Sequence, residues 1–164
     1  NTDGNILVAI QAIKSSQQEH NFLGCDTEGN VCAIQTKGNP YGHIILRGSR
    51  YGPNYQSKHI KEITNNLIEH RITPNIIIDF SHDNSTKDHA KQIFVAQDVG
   101  QQIAVGNNNI KGVMIESNLV EGKQKITDVP LVYGKSITDS CINLDTTKII
   151  LGMLAGYKVR RDAL

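Results

Sequence analysis

Short, continuously apolar segments alternate along this chain with longer segments that have helical periodicity. Three apolar segments stand out: "HIILRG" (43–48), "NIIIDFSH" (75–82) and "GVMIES" (112–117). Apolar residues spaced three and four apart predict helices over residues 4–18, 54–70, 85–105 and about 145–160. Strands buried on both faces lack polar alternation. The order strand, helix, strand, helix therefore predicts a parallel sheet covered by helices, an α/β fold.

Individual positions within the helical segments support this interpretation. The first two helices each carry an apolar stripe, formed by Ile6, Leu7, Ile10 and Ile13 and by Ile60, Ile63, Leu67 and Ile68. Ser85 and Asp88 have the spacing of a capping box, which predicts that the third helix begins at Ser85. Arg160 and Arg161 fall in the last turn of the final helix, where cations stabilise the helix dipole.

A β-hairpin is predicted between the first helix and the first apolar strand. Residues 21–36 read "NFLGCDTEGNVCAIQT", in which "TEGN" supplies the turn residues. Residues 121–133 ("EGKQKITDVPLVY") read instead as a short polar loop.

Composition narrows the class of protein. The 164 residues suit one domain, and 17 basic against 16 acidic residues give no indication of nucleic-acid or membrane-surface binding. No apolar run approaches the roughly 20 residues that span a bilayer, and the start has no signal-peptide pattern. Three cysteines without a CxxC pair argue against a disulfide scaffold or zinc ribbon. They favour a reducing, cytoplasmic location.

Polar residues end the three apolar strands at regular intervals. Arg47 and His82 are 35 residues apart, and His82 and Glu116 are 34 apart. Because one βα unit takes roughly 30 residues, these side chains should lie at the carboxyl ends of consecutive parallel strands. Ligands bind at that edge in βα architectures, and the helix N-termini that follow favour an anionic ligand.

The chemistry of these residues suggests a metal site. His82 and Glu116, with Asp139 from "SITDSC", form a donor set that suits Mn²⁺, Fe²⁺, Co²⁺ or Zn²⁺. Each residue also has a structural alternative: a hydrogen-bonded histidine, a salt-bridge partner and a helix cap, respectively. Arg47 would grip a carboxylate or phosphate, or form a structural ion pair. Lys135 in "YGKS" does not belong to a phosphate-binding loop, because Val129 stands where that motif needs glycine.

Four motifs in this order and spacing resemble the C-terminal half of class I DAHP (3-deoxy-D-arabino-heptulosonate-7-phosphate) synthases, also called phospho-2-dehydro-3-deoxyheptonate aldolases. The motifs are "HIILRG", "IIIDFSHDNSTKD", "GVMIESNLVEG" and "PLVYGKSITDSCI". The resemblance covers almost the whole chain. It implies that residues 1–164 form a single partial domain, about the last three βα units of a TIM (β/α)₈ barrel with the hairpin inserted at about 21–36.

The resemblance also implies an activity, the first step of the shikimate pathway toward aromatic amino acids. This step is the metal-dependent, aldol-type condensation of phosphoenolpyruvate with erythrose 4-phosphate, which releases phosphate. His82, Glu116 and Asp139 would be metal ligands, and Arg47 and His82 would be catalytic and bind phosphoenolpyruvate. Asn118 stands where the family commonly has histidine. The family's cysteine ligand and "KPRT" motif lie upstream, so the isolated chain is expected to lack part of the active site and to be inactive.

Partners and regulation follow from the same resemblance. Three strands of a barrel leave open edges, so the chain is expected to pack against the N-terminal half or another copy, as a homodimer or homotetramer. The hairpin segment, with Phe22 and Gly24, would contribute to an effector site for aromatic amino acids. Two other hypotheses stay open at this point: a related phosphoenolpyruvate-condensing synthase that uses arabinose 5-phosphate, and a non-catalytic α/β effector-binding module.

Overall fold

A computed structural model describes residues 3–163 and contains the predicted alternation of strands and helices. The helices are α1 (Ile6–Ser16), α2 (Ser57–Glu69), α3 (Gln92–Ala104) and α4 (Leu144–Asp162). The strands are β1 (His20–Cys25), β2 (Val31–Thr36), β3 (Ile44–Leu46), β4 (Ile76–Asp79), β5 (Ile110–Met114), β6 (Val120–Lys123) and β7 (Lys135–Ser136). Short 3₁₀ turns span His82–Ser85 and His89–Lys91. Within the described residues, no helix is both long and apolar enough to cross a membrane.

The three apolar segments form one parallel sheet in the order β3-β4-β5, which confirms the predicted α/β class. Leu46 pairs with Ile78, which pairs with Val113 on the third strand. On this face of the sheet the side chains are buried beneath the helices, because the βα connections lay α2 and α3 against it. All four helices contribute to the same core, through Ile10, Ile60, Val99 and Ile150 among others.

The opposite face of the central sheet is apolar but uncovered. Ile45 pairs with Ile77 and Ile77 with Gly112, and Met114 lies two residues further along the same face. Ile45 is 36% exposed and Met114 is 43% exposed. A parallel sheet normally has both faces covered, and this exposed apolar face departs from that arrangement.

The hairpin forms as predicted. β1 and β2 are antiparallel, with Phe22 opposite Ile34, and Gly29 in the turn has a φ of +85°. The Asp26 carboxylate accepts hydrogen bonds from the backbone N–H of Glu28 and of Asn30, which closes the turn. Hydrogen bonds from Asn30 hold the pKa of Asp26 below its ordinary value.

The predicted start of the third helix is wrong. Ser85 does not open an α-helix, because Thr86 and Lys87 have left-handed φ values of +55° and +61° that break helical continuity. Asp88 instead caps the second 3₁₀ turn by accepting from the N–H of Ala90, and α3 begins at Gln92.

Two smaller differences concern the sheet periphery and the helix faces. Residues 121–133 are not wholly a loop, because β6 pairs in parallel with β7. Strands of four and two residues are too short to show a periodicity. Leu7 and Ile68, assigned to apolar stripes, are exposed in α1 and α2.

Helices α3 and α4 pack closely at one glycine. A Cβ at Gly100 of α3 would lie 2.2 Å from the Tyr157 ring of α4, whereas a Cβ at Gly152 of α4 would meet nothing within 4 Å. Both substitutions to alanine gain the same helix propensity, but only Gly100→Ala overpacks the interface. We expect Gly100→Ala to be about 1–3 kcal/mol less stable than Gly152→Ala in urea denaturation. Equal stabilities would show that Tyr157 moves aside freely.

Candidate metal centre

Three segments that follow strands bring His82, Glu116 and Asp139 together. Each offers one ligand atom, and these atoms all lie within 4.8 Å of one another. Arg47, Glu116 and His82 lie one, two and three residues beyond the ends of β3, β5 and β4, respectively. The prediction that His82 ends its strand is thus wrong by three residues, but the strand ends do converge.

A buried carboxylate orients the His82 ring. Asp79 accepts a 2.8 Å hydrogen bond from His82 Nδ1 and another from the backbone N–H of Ser81. Because Nδ1 carries the hydrogen in this arrangement, Nε2 presents its lone pair on the other side of the ring. Nε2 lies 3.7 Å from Glu116 Oε1 and 3.5 Å from Asp139 Oδ2.

The His82 backbone is in a conformation that histidine rarely adopts. Its φ is +51°, in the left-handed region. Such a residue costs about 1–3 kcal/mol and persists where the surroundings determine it, commonly at functional sites. Here the His82 carbonyl accepts from the backbone N–H of Lys87 at 2.7 Å and from Ser85 Oγ at 3.2 Å. These two hydrogen bonds hold the turn that carries the imidazole.

Glu116 is held through its backbone by Gln92, the first residue of α3. Gln92 Nε2 donates to the Glu116 carbonyl, and Gln92 Oε1 accepts from the Glu116 N–H, both at 3.0 Å. The N–H of Ile142 also donates to the Glu116 carbonyl, at 2.9 Å.

Asp139 lies on the segment between β7 and α4 and is the most exposed of the three candidate ligand residues. The side chains of His82, Glu116 and Asp139 are 17%, 34% and 62% exposed. Asp139 does not cap α4, because Asn143 does so by accepting from the N–H of Thr146. Its neighbour Ser140 hydrogen-bonds His89 Nδ1 at 2.8 Å, which links this segment to the β4–α3 connection.

The donor set and its spacing fit a divalent cation. Two atoms bound at about 2.1 Å to a tetrahedral metal lie about 3.4 Å apart, close to the separations measured from His82 Nε2. One imidazole and two carboxylates suit first-row divalent metals. Asp79 supplies the second hydrogen bond that metal-binding histidines usually make.

The backbone of Arg47 is hydrogen-bonded to the segment that carries His82. Asn84 donates from its backbone N–H to the Arg47 carbonyl, and from its side-chain Nδ2 to the carbonyls of Leu46 and Asp79. These bonds tie the end of β3 to the end of β4. Arg47 Nε is buried and has no hydrogen-bond partner among residues 3–163. A buried guanidinium N–H without a partner is uncommon, because buried polar groups are usually hydrogen-bonded.

The other positions named from the sequence are not members of the group formed by His82, Glu116 and Asp139. Phe22 and Gly24 lie on β1 of the hairpin, and a Cβ at Gly24 would lie 2.3 Å from Ile34 Cδ1. Lys135 lies on β7. Asn118 accepts the backbone N–H of Leu119 with its side chain.

Sequence reasoning missed the residues that support the ligands. Asp79 precedes His82 by three residues, and a carboxylate so close to a candidate ligand is a signal that could have identified it. His89 and Gln92 gave no such signal, because their partners are 51 and 24 residues away in sequence.

The fold and the site together define a class: an α/β protein with a candidate divalent-metal centre at the carboxyl ends of parallel strands. Comparison with known proteins agrees and is more specific. A model of the DAHP synthetase I family matches residues 1–152. This chain belongs to the DAHP synthetase I family.

Several relatives give the extent of the similarity. Trp-sensitive phospho-2-dehydro-3-deoxyheptonate aldolases from Salmonella typhi and Escherichia coli (strain K12) are 45% and 43% identical over 155 residues. A solved phospho-2-dehydro-3-deoxyheptonate aldolase structure from Francisella tularensis has a TM-score of 0.93 and 44% identity, covering 98% of this chain and 47% of that one. The chain spans 44% of the length of the two curated relatives.

Cys141 lies against the ligand group and should react slowly. Burial raises the pKa of its thiol, and the Glu116 carboxylate, 3.8 Å from Sγ, adds to the rise. A raised pKa leaves less thiolate at a given pH. At about pH 8 in metal-free buffer, iodoacetamide should therefore modify exposed Cys25 well before Cys141, as read by peptide mass mapping. Equal rates would contradict the burial of Cys141.

Proposed function

We propose that this chain forms part of the active site of a cytoplasmic DAHP synthase. The reaction condenses phosphoenolpyruvate with erythrose 4-phosphate and releases inorganic phosphate, as the first step of the shikimate pathway. The observation that carries the proposal is the convergence of His82, Glu116 and Asp139 in a chain of this family. The named aldolase activity of the relatives gives the reaction class.

His82, Glu116 and Asp139 would hold the divalent cation, one of Mn²⁺, Fe²⁺, Co²⁺ or Zn²⁺. When bound, such an ion acts as a Lewis acid that polarises the aldehyde carbonyl of erythrose 4-phosphate. Asp79 keeps the His82 ring in one tautomer and orientation. His82 is also the proposed catalytic histidine beside phosphoenolpyruvate.

Arg47 would bind phosphoenolpyruvate and hold it in a reactive orientation. The substrate carries a carboxylate and a phosphate, and a guanidinium binds either through paired hydrogen bonds. The buried, unpartnered Nε of Arg47 supports this role. Asn84 joins the Arg47 backbone to the segment that carries His82. This link would hold the anion site and the metal ligands in a fixed relative position.

We further propose that the three βα units are the last three of a (β/α)₈ barrel. Three features support this: the uncovered apolar face of the central sheet, the outer edges of β3 and β5, which no described strand pairs, and the two grooves beside those edges. The grooves measure about 640 Å³ between α1 and β3 and about 860 Å³ between β5, α3 and α4. The other barrel strands, from the same protein or another copy in a homodimer or homotetramer, would fill them. Residues 1–164 alone would be inactive.

The hairpin would contribute to an effector site that contains Phe22 and Gly24. Phe22 is half exposed on β1 and is available to an aromatic ligand. Two relatives are named Trp-sensitive, so tryptophan is the effector we propose.

Metal titration tests the ligand group. In calorimetry on the protein at its natural length, His82→Ala and Glu116→Ala should each weaken Mn²⁺ binding at least about 100-fold, because each removes a ligand. Asp145→Ala is the matched control, since Asp145 is an exposed carboxylate in the first turn of α4 outside the group. Unchanged affinity in both ligand variants would exclude this metal centre.

Steady-state kinetics on the protein at its natural length test the role of Arg47. Arg47→Lys should raise KM for phosphoenolpyruvate about 10- to 100-fold, because lysine cannot make the paired contact. KM for erythrose 4-phosphate should change little. Arg50→Lys is the control, since exposed Arg50 contacts the neighbouring Tyr51 instead.

The same assay distinguishes the related synthase. Condensation with arabinose 5-phosphate in preference to erythrose 4-phosphate would contradict the proposed substrate. An equal rise in both KM values for Arg47→Lys would contradict a specific phosphoenolpyruvate contact.

A further inference from the structure

We propose that Gln92 is a positioning residue that sets the direction of the Glu116 carboxylate and so tunes the affinity of the metal centre. This inference rests on the proposed function, because it requires that His82, Glu116 and Asp139 bind a metal. Gln92 is 0% exposed, and both polar atoms of its side chain bind the backbone of Glu116 at 3.0 Å.

The geometry of this contact gives it a specific effect. An amide side chain is both donor and acceptor, so one Gln92 side chain satisfies the N–H and the carbonyl of the same residue. Two bonds to one residue restrain its backbone orientation, and hence the direction of its Cα–Cβ bond. β5 ends at Met114, so its ladder does not reach Glu116. The Ile142 N–H shares the Glu116 carbonyl with Gln92, whereas the Glu116 N–H donates to Gln92.

Gln92 also connects two ligand segments. It begins α3 directly after the connection that starts at β4 and contains His82. A displacement of this connection therefore moves His82 and the anchor of Glu116 together. The distance between His82 Nε2 and Glu116 Oε1 should therefore depend on the hydrogen bonds that Gln92 makes to the Glu116 backbone.

Gln102 is a matched control in the same helix. It is buried as well, but its Nε2 donates to the Tyr55 carbonyl and the Asp98 carboxylate, and among the described residues no hydrogen bond joins it to His82, Glu116 or Asp139. Replacing either glutamine by methionine keeps the approximate volume and removes the amide. Both variants should lose stability, whereas only Gln92→Met should alter the metal centre.

The experiment compares wild type, Gln92→Met and Gln102→Met at natural length. It uses Mn²⁺ calorimetry and the visible absorption spectrum of the Co²⁺-loaded protein. We expect Gln92→Met to weaken Mn²⁺ binding about 10- to 100-fold and to shift the Co²⁺ bands. Gln102→Met should keep the Mn²⁺ affinity within about twofold of wild type. Its Co²⁺ bands should not shift.

The outcomes separate this inference from the function on which it rests. A wild-type protein that does not bind Mn²⁺ overturns the metal centre and, with it, the role of Gln92. Wild-type binding that is unchanged in Gln92→Met, or equally weakened in Gln102→Met, overturns the role of Gln92 alone. If Gln92→Met does not fold, Gln92→Glu decides, because it keeps the acceptor for the Glu116 N–H and loses the donor. Its Mn²⁺ affinity should fall, and a wild-type affinity would overturn the proposal.

Discussion

The hydrogen bond between Asp79 and His82 is the constraint on which the candidate site depends. Asp79 is the last residue of β4 and is buried, so its carboxylate has a fixed position. By accepting from Nδ1 at 2.8 Å it turns Nε2 toward Glu116 and Asp139. His82 lies three residues after Asp79, and its left-handed backbone accompanies the turn in which the ring reaches the Asp79 carboxylate. Without that contact, the ring would have no defined orientation relative to the two carboxylates.

The connection between β4 and α3 organises the rest of the site. Asn84 joins it to the end of β3, Gln92 to Glu116, and His89 to the segment that carries Asp139. Residues of this one segment thus contact the three other segments that carry Arg47, Glu116 and Asp139. These hydrogen bonds explain how loops with little regular structure keep the candidate side chains in fixed relative positions.

The sequence predicted the three parallel strands and the convergence of His82, Glu116 and Asp139, because these depend on local apolar runs and on the spacing of βα units. It did not predict where the segments between them bend. Thr86 and Lys87 adopt left-handed conformations that their residue types do not favour, and this misplaced the start of α3. The supporting contact of Gln92 joins residues far apart in sequence, so only tertiary structure reveals it. The roles of Phe22 and Gly24 stay predictions.

The unequal exposure of the three candidate ligands gives the site a closed side and an open side. Within the described residues, the His82 side chain is 17% exposed and that of Asp139 is 62% exposed. Under the proposed function, and where the remaining barrel strands leave Asp139 uncovered, an ion would exchange past Asp139 without disturbing the parallel strands. A chelator would then remove the ion at a rate governed by the motion of one loop, not by opening of the core.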